Sequence, residues 1–376
     1  MAAAAFLAAL PAHGAPSETE ILIAAAGPLS GRYGDQGLSL VAGVTLAVED
    51  INARGGLRLG SRRFRLRLRV FDDSCDSALA AKLARYIVEA GARLIVGHLC
   101  AGASIAAAKI YAGADIVEIS PATRHPRFTD SRAGPAIFRL AGRNDRQGRA
   151  AGRYLAQAFA GKRIALVHDR TLAAMALLEG ARSGIVQNGQ KVSLAAIIRP
   201  GQNDYGRLIA KLKRARVDVV YIASYATEVG LITRQIAAAK LPVTVMSGEI
   251  ITDKAFLEAA AGSANGTLVT GRPEPFGIAP AAKLIARLRA QHHPVTLTAL
   301  AAYAAVETWK AAAEQSGSLQ KSAVAASLTA GRFATVLGPL SFNAKGDADI
   351  PSYAIYRWRN GHLQQVLQRL PPRRKE

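Results

Sequence analysis

Ile21-Leu22-Ile23-Ala24-Ala25-Ala26-Gly27-Pro28 opens the stretch that decides the fold. The apolar run Ile21–Ala26 predicts a buried strand, and Gly27-Pro28 stops it. Downstream, Leu38, Val41, Val44, Thr45, Val48 and Ile51 recur at spacings of three and four, which predicts a helix with one apolar face. Gly55-Gly56 follows where helix C-termini favour glycine. Strand, glycine turn and amphipathic helix make one βα unit. The unit is repeated along the chain, with strands predicted at Leu94–Gly97, Ile116–Ile119, Ile164–Val167, Val217–Ala223 and Val243–Met246. Repeated βα units predict parallel-rich sheets with helices on both faces, and ligands then bind beyond the carboxyl ends of the strands.

Two such series, over residues 18–140 and 141–271, precede a helical region at about 278–328 and a strand-rich end at 334–368. A chain of 376 residues exceeds what one core usually organises, so two α/β lobes are expected. No long linker separates them, which suits closure about a hinge.

The net charge of +21 raises the question of nucleic acid or anionic membrane. The cations are dispersed, however, and in Phe64-Arg65-Leu66-Arg67-Leu68-Arg69-Val70 they alternate with apolar residues, as on a strand with one solvated face. Such arginines also guard an edge strand against aggregation. With no helix-turn-helix, zinc-finger or aromatic RNA-binding signature beside them, nucleic acid is not an expected partner. At the N-terminus, apolar Ala2 to Leu10 followed by small Ala12, Gly14 and Ala15 predicts a signal peptide over residues 1–14, although it lacks a basic leader. A buried alanine-rich helix is the competing reading. No later run is long enough to span a bilayer, so a soluble, periplasmic protein is expected.

Cys75 and Cys100 are the only cysteines, on consecutive strand-to-helix turns, and in an exported chain they are expected to pair. Neither they nor His98, His125, His168, His292 and His293 form a metal-ligand pattern, so no metal or cofactor is expected. Gly27 to Gly34 lacks the Gly-Lys-Ser/Thr ending of a phosphate-binding loop, and no nucleophile with a partner base stands out. An enzyme is not expected.

Taken in order, Gly27-Pro28-Leu29-Ser30-Gly31-Arg32-Tyr33-Gly34-Asp35, Asp50-Ile51-Asn52-Ala53-Arg54-Gly55-Gly56, Asp72-Asp73-Ser74-Cys75-Asp76, Gly97-His98-Leu99-Cys100, Ile119-Ser120-Pro121, His168-Asp169, Tyr221 to Gln235 and Gly338-Pro339-Leu340 carry a resemblance. The chain resembles the leucine/isoleucine/valine-binding proteins of branched-chain amino-acid ABC transporters. The resemblance implies a type I periplasmic binding protein: two Rossmann-like lobes joined by three hinge crossovers near residues 140, 271 and 342. The N-terminal lobe would comprise 18–140 plus 272–341 and the C-terminal lobe 141–271 plus 342–370. It implies a Cys75–Cys100 disulfide, a monomer that delivers a small molecule to a membrane permease, and no cofactor.

By the same resemblance Glu249 would take the ligand's ammonium, Tyr225 would line the cleft and Tyr33 would cover the ligand from the first lobe. At the carboxylate end the family's serine and threonine are replaced by Ala101 and Arg124, and a further tyrosine by Ala173. Backbone donors at Ala101 and Gly102 would persist, because a helix start binds anions without side chains. Ala122, Thr123 and Arg124 form the turn after Ile119-Ser120-Pro121, with Ser104 and Thr123 near the lost hydroxyls and Arg124 either binding the carboxylate or pointing to solvent. The expected ligand is an amino acid or close analogue, bulkier or more acidic than leucine. The alternative is a sensor of the same fold binding a small amide or aromatic acid.

Overall fold

The computed structural model describes residues 19–252, 254–272, 279–349 and 353–367, so the signal peptide expected at 1–14 and the last residues of the expected C-terminal lobe lie outside it. The chain runs β1 (Thr19–Gly27), α1 (Gly34–Ala53), β2 (Leu57–Leu59), β3 (Arg62–Asp72), α2 (Ser77–Glu89), β4 (Leu94–Gly97), α3 (Ala101–Ala112), β5 (Val117–Ser120), α4 (Arg127–Asp130) and β6 (Ile137–Arg139). It continues through α5 (Asn144–Ala158), β7 (Ile164–His168), α6 (Leu172–Val186), β8 (Val192–Ile197), α7 (Gly206–Arg214), β9 (Val219–Ala223), α8 (Ala226–Ala238), β10 (Thr244–Gly248), α9 (Lys254–Ala260) and β11 (Leu268–Gly271). The remainder is α10 (Ala279–Ala290), α11 (Leu297–Ser316), α12 (Lys321–Ala330), β12 (Arg332–Thr335), β13 (Gly338–Ser341), β14 (Ala354–Arg359) and β15 (His362–Leu367).

These strands form two large sheets, in the orders β2-β3-β1-β4-β5-β6 and β15-β14-β11-β10-β9-β7-β8, and a small ribbon of β12 and β13. In the first sheet β3, β1, β4, β5 and β6 are parallel, with Ile23 beside both Leu68 and Leu94. In the second, β8, β7, β9, β10 and β11 are parallel, while β14 and β15 add antiparallel strands at one edge. Both faces of each sheet are covered. Ile21, Ile23 and Ala25 enter a core shared with α1 and α11, whereas Leu22, Ala24 and Ala26 enter one shared with α2 and α3. This explains why Ile21–Ala26 is apolar without alternation: both of its faces are buried.

The apolar stripe on α1 is misdrawn by the sequence at its start. Leu38 is 54% exposed, while Leu40, Leu46 and Ala47, outside the stripe, are buried. The helix is pinned between the first sheet and α11, and a Cβ at Gly43 would meet the Ala299 carbonyl at 2.1 Å, so the covered surface is wider than one stripe. Its end is as expected: Gly55 and Gly56 take φ of +91° and +80°, and the Gly56 N–H donates to the Ile51 carbonyl at 2.9 Å. On β3 the alternation holds from Phe64 to Arg67 and then fades, with Val70 39% exposed. The outer neighbour β2 pairs only with Arg62–Phe64, leaving the later part of β3 less covered.

Cys75 and Cys100 form a disulfide with their Cα atoms 5.4 Å apart. It ties the turn after β3 to the start of α3. At the other end of the chain, Phe342 and Ala348 still pack in the first core, and Gly346 and Ala348 are bonded to Arg139 of β6. The chain enters the second sheet only with Ala354. Among the described residues, Phe342 to Ala348 thus stay with the first core, where the turn Asn343–Asp347 closes on β6.

The second sheet has its own close contact, between the helices α5 and α6 that pack on one of its faces. On α5 and α6, a Cβ at Gly148 would lie 1.9 Å from the Leu177 carbonyl oxygen, at Gly152 2.0 Å from that of Ala181, at Gly180 2.3 Å from that of Asp145 and at Gly184 2.5 Å from that of Arg149. Backbone meets backbone along this seam, and no side chain fits between.

Candidate functional site

The two sheets present the carboxyl ends of their parallel strands to each other. Tyr33, beyond β1, has its ring centroid 6.0 Å from that of Tyr225, which caps α8 beyond β9. Arg124, beyond β5, pairs through Nη1 with Oε1 of Glu249, the residue directly after β10. Four residues expected at the cleft are thus brought together, two from each lobe, and the Arg124 side chain points across the cleft rather than into solvent.

Glu249 sits in a positive surround. Its Oε2 accepts the Arg272 N–H at 3.3 Å, and its side chain is 16% exposed. Arg272, directly after β11, donates through Nη1 to the Leu140 carbonyl at 3.4 Å, and its buried Nε has no hydrogen-bond partner among the described residues. Burial lowers the Arg124 guanidinium to about 10, with the Arg272 charge acting in the same direction; it still carries its proton at neutral pH. Burial also lowers Arg272 and raises the phenol of Tyr353, which feels both arginines and donates its hydroxyl to the Arg143 carbonyl at 3.1 Å. Arg124 is paired with Glu249 by its guanidinium and Arg272 only by its backbone N–H, so these two arginines and one carboxylate leave one positive charge in excess.

The remaining expected residues divide. Ala101 and Gly102 start α3, whose first intrahelical bond runs from the Ser104 N–H to the Cys100 carbonyl at 2.9 Å, so their own N–H groups precede the ladder. Ala122 is half-buried against the first core. Thr123 does not offer its hydroxyl to the cleft: it is fully buried, its Oγ1 donates to the His98 carbonyl at 3.0 Å, and its N–H donates to Ser120 Oγ at 3.0 Å. Ser104, equally buried, bonds to Thr123 and to the Cys100 carbonyl. Both hydroxyls hold the first lobe's own turns together. Ala173 is exposed in the first turn of α6, and its carbonyl accepts from Asn144 Nδ2 at 3.2 Å.

Sequence reasoning missed Arg272 and Tyr353. Glu249 came from the resemblance; Arg272 shares its place directly after a strand on the binding edge, a signal that could have found it, whereas Tyr353 gives none. It also left Asp169 without a role. That carboxylate accepts Thr171 N–H at 2.9 Å and Ser224 Oγ at 2.9 Å, which joins the turns after β7 and β9 and fixes the approach to Tyr225. Among the described residues no group of three or more His, Cys, Asp and Glu is placed to hold a metal, and no helix is long and apolar enough to cross a membrane.

Two α/β lobes whose strand ends face one another across a charged, aromatic-lined cleft define the architecture of a small-molecule binding protein. The periplasmic binding protein family model matches residues 20–362, and the chain belongs to that family. It is similar to a Leu/Ile/Val-binding protein homolog from Brucella melitensis, with 33% identity over 94% of this chain and 95% of the relative. Among solved structures, a leucine binding protein from Thermotoga maritima superposes with a TM-score of 0.80 at 20% identity, covering 92% of this chain and 97% of the other. A solute binding protein of an ABC transporter from R. palustris, in complex with benzoate, does so with 0.78 at 21% identity, covering 93% and 96%. The fold is that of a type I periplasmic binding protein.

Proposed function

We propose that this chain is the exported, periplasmic binding component of an ABC importer, a monomer that closes on an amino acid or amino-acid-like molecule and presents it to a membrane permease. Binding and release involve no covalent chemistry, cofactor or metal. The Arg124–Glu249 pair across the cleft supports this reading most directly. An α-amino acid carries the complements of both groups. Its ammonium replaces Arg124 at Glu249, and its carboxylate takes Arg124 together with the Ala101 and Gly102 N–H groups that precede the α3 ladder. Tyr33 and Tyr225 then cover the side chain. The lobes are proposed as 18–140 with 272–348 and 141–271 with 354–367.

A second reading takes a carboxylate without an ammonium, such as an aromatic acid. Arg124 already satisfies Glu249, the Arg272 Nε without a partner among the described residues favours an added anion, and two tyrosine rings line the site. Calorimetric titration with leucine, glutamate and benzoate separates the two. The first reading expects an amino acid to bind, with glutamate favoured by the excess positive charge, and its amine-blocked N-acetyl form to lose at least about tenfold in affinity. Binding of benzoate with no response to any amino acid transfers the site to the second.

A further inference from the structure

Away from Glu249, a solvent-open cavity of about 510 Å³ lies where the first lobe's Asn343–Asp347 turn meets the start of α5. Arg143, Arg146, Arg149 and Lys345 line it with Asp130 and Asp145, so four cations face two carboxylates and two positive charges are in excess. Asp347, beneath, is occupied by the buried Arg139.

The cations are not equivalent. Arg143 is 8% exposed and saturated, donating to both oxygens of Asp130 at 2.8 and 2.6 Å and to Asp145 at 2.9 and 3.1 Å. Lys345 bonds to Asp130 at 2.7 Å while remaining 59% exposed. Arg146 and Arg149, one turn apart on α5 and each 50% exposed, reach among the described carboxylates only Asp347 at 3.9 Å and Asp145 at 3.7 Å, beyond hydrogen-bonding distance. Two planar guanidiniums therefore point donors at one cavity, with an ammonium of the other lobe opposite them.

We propose that this cavity is a second ligand site, for a phosphate monoester, gripped by Arg146 and Arg149 from the second lobe and Lys345 from the first. Guanidinium forks match phosphate oxygens in geometry, and a dianion matches the charge excess. The cavity is several times the size of a bare phosphate, which leaves room for the organic part of an ester. Its walls come from both lobes, so occupancy binds them together. The Asn144 N–H, at the head of α5, donates to the Arg124 carbonyl at 2.9 Å and links this site to the cleft.

The test is calorimetric titration of the full chain at low ionic strength with inorganic phosphate, glycerol 3-phosphate and glycerol. Phosphate binds, glycerol 3-phosphate binds more tightly, and glycerol gives no signal. Arg146→Ala/Arg149→Ala weakens phosphate binding at least about tenfold, whereas Glu249→Gln leaves it unchanged. Should the double variant not fold, Lys345→Ala, at an exposed side chain, is expected to weaken binding about threefold. No binding to the parent chain, equal affinity in the arginine and lysine variants, or equal displacement by chloride at matched ionic strength overturns the proposal.

Discussion

The two lobes meet the cleft in opposite ways. In the first, polar groups near the strand ends turn inward: Ser104, Ser120 and Thr123 bond to one another and to the His98, Leu99 and Cys100 carbonyls, and His98 is held between Asp73 and Tyr111. In the second, Glu249 and Tyr225 project outward, supported from behind by Arg272 and by the Asp169–Ser224 bond. The first lobe is rigidified by its hydroxyls and offers the ligand little besides Arg124, Tyr33 and a helix start. Recognition on that side passes from hydroxyls to a charge.

The largest expected effect tests the inward-turned side. Cys75→Ser opens a link between residues 25 apart, and on the chain-entropy account lowers stability by about 3.5 kcal/mol in chemical denaturation. Ligand affinity, measured where the variant is folded, should hardly change. A variant that keeps its stability while losing affinity breaks the division between the lobes.

Next in size is the outward-turned side. Glu249→Gln is expected to weaken an amino-acid ligand by about 100-fold, or 2–3 kcal/mol, because it leaves the ammonium without its carboxylate beside the positive charges of Arg124 and Arg272. Thr123→Val, by contrast, should cost about 1–2 kcal/mol of stability and leave affinity within about twofold, since its hydroxyl serves the turn. Equal losses of affinity in the two variants would show that Thr123 reaches the ligand after all.

Much of this was legible in the sequence. The βα alternation and the glycine stops followed from local pattern, because parallel strands buried on both faces leave continuous apolar runs, and the disulfide from two lone cysteines in a chain read as exported. Glu249 and Tyr225 were singled out by the resemblance to the family, and their places directly after strands on the binding edge agree with where such a fold presents its ligands. The direction of Thr123 could not, since hydroxyls turned inward and outward have the same sequence spacing. Arg124 was undecided for the same reason. Only the opposing Glu249, 125 residues further along, fixes its direction, and no periodicity reports a contact of that range.

The smallest expected effect lies deepest in the first lobe. Glu118 is fully buried, neither carboxylate oxygen has a hydrogen-bond partner among the described residues, and burial raises it well above the usual carboxylate range. The folded chain keeps this proton after the unfolded chain has released it, so stability falls as pH rises above about 4.5 towards the folded value. Glu118→Gln removes that fall. It is expected to gain about 1 kcal/mol at pH 8 and nothing at pH 4, read from denaturation midpoints at the two values. An unchanged pH slope would mean that Glu118 is already ionised and paired.

One further consequence follows from the glycine seam between α5 and α6. With backbone against backbone, no rotamer is available there to absorb a displacement, and the two helices must travel together. Asn144, at the head of α5, is bonded to the Arg124 carbonyl in one direction and to Ala173 on α6 in the other. A shift of the Arg124 turn is therefore handed without slack to the cleft wall that carries Leu172 and Ala173. The seam works as gearing more than as glue, and lengthening any of its four glycines would introduce play between the hinge and that wall.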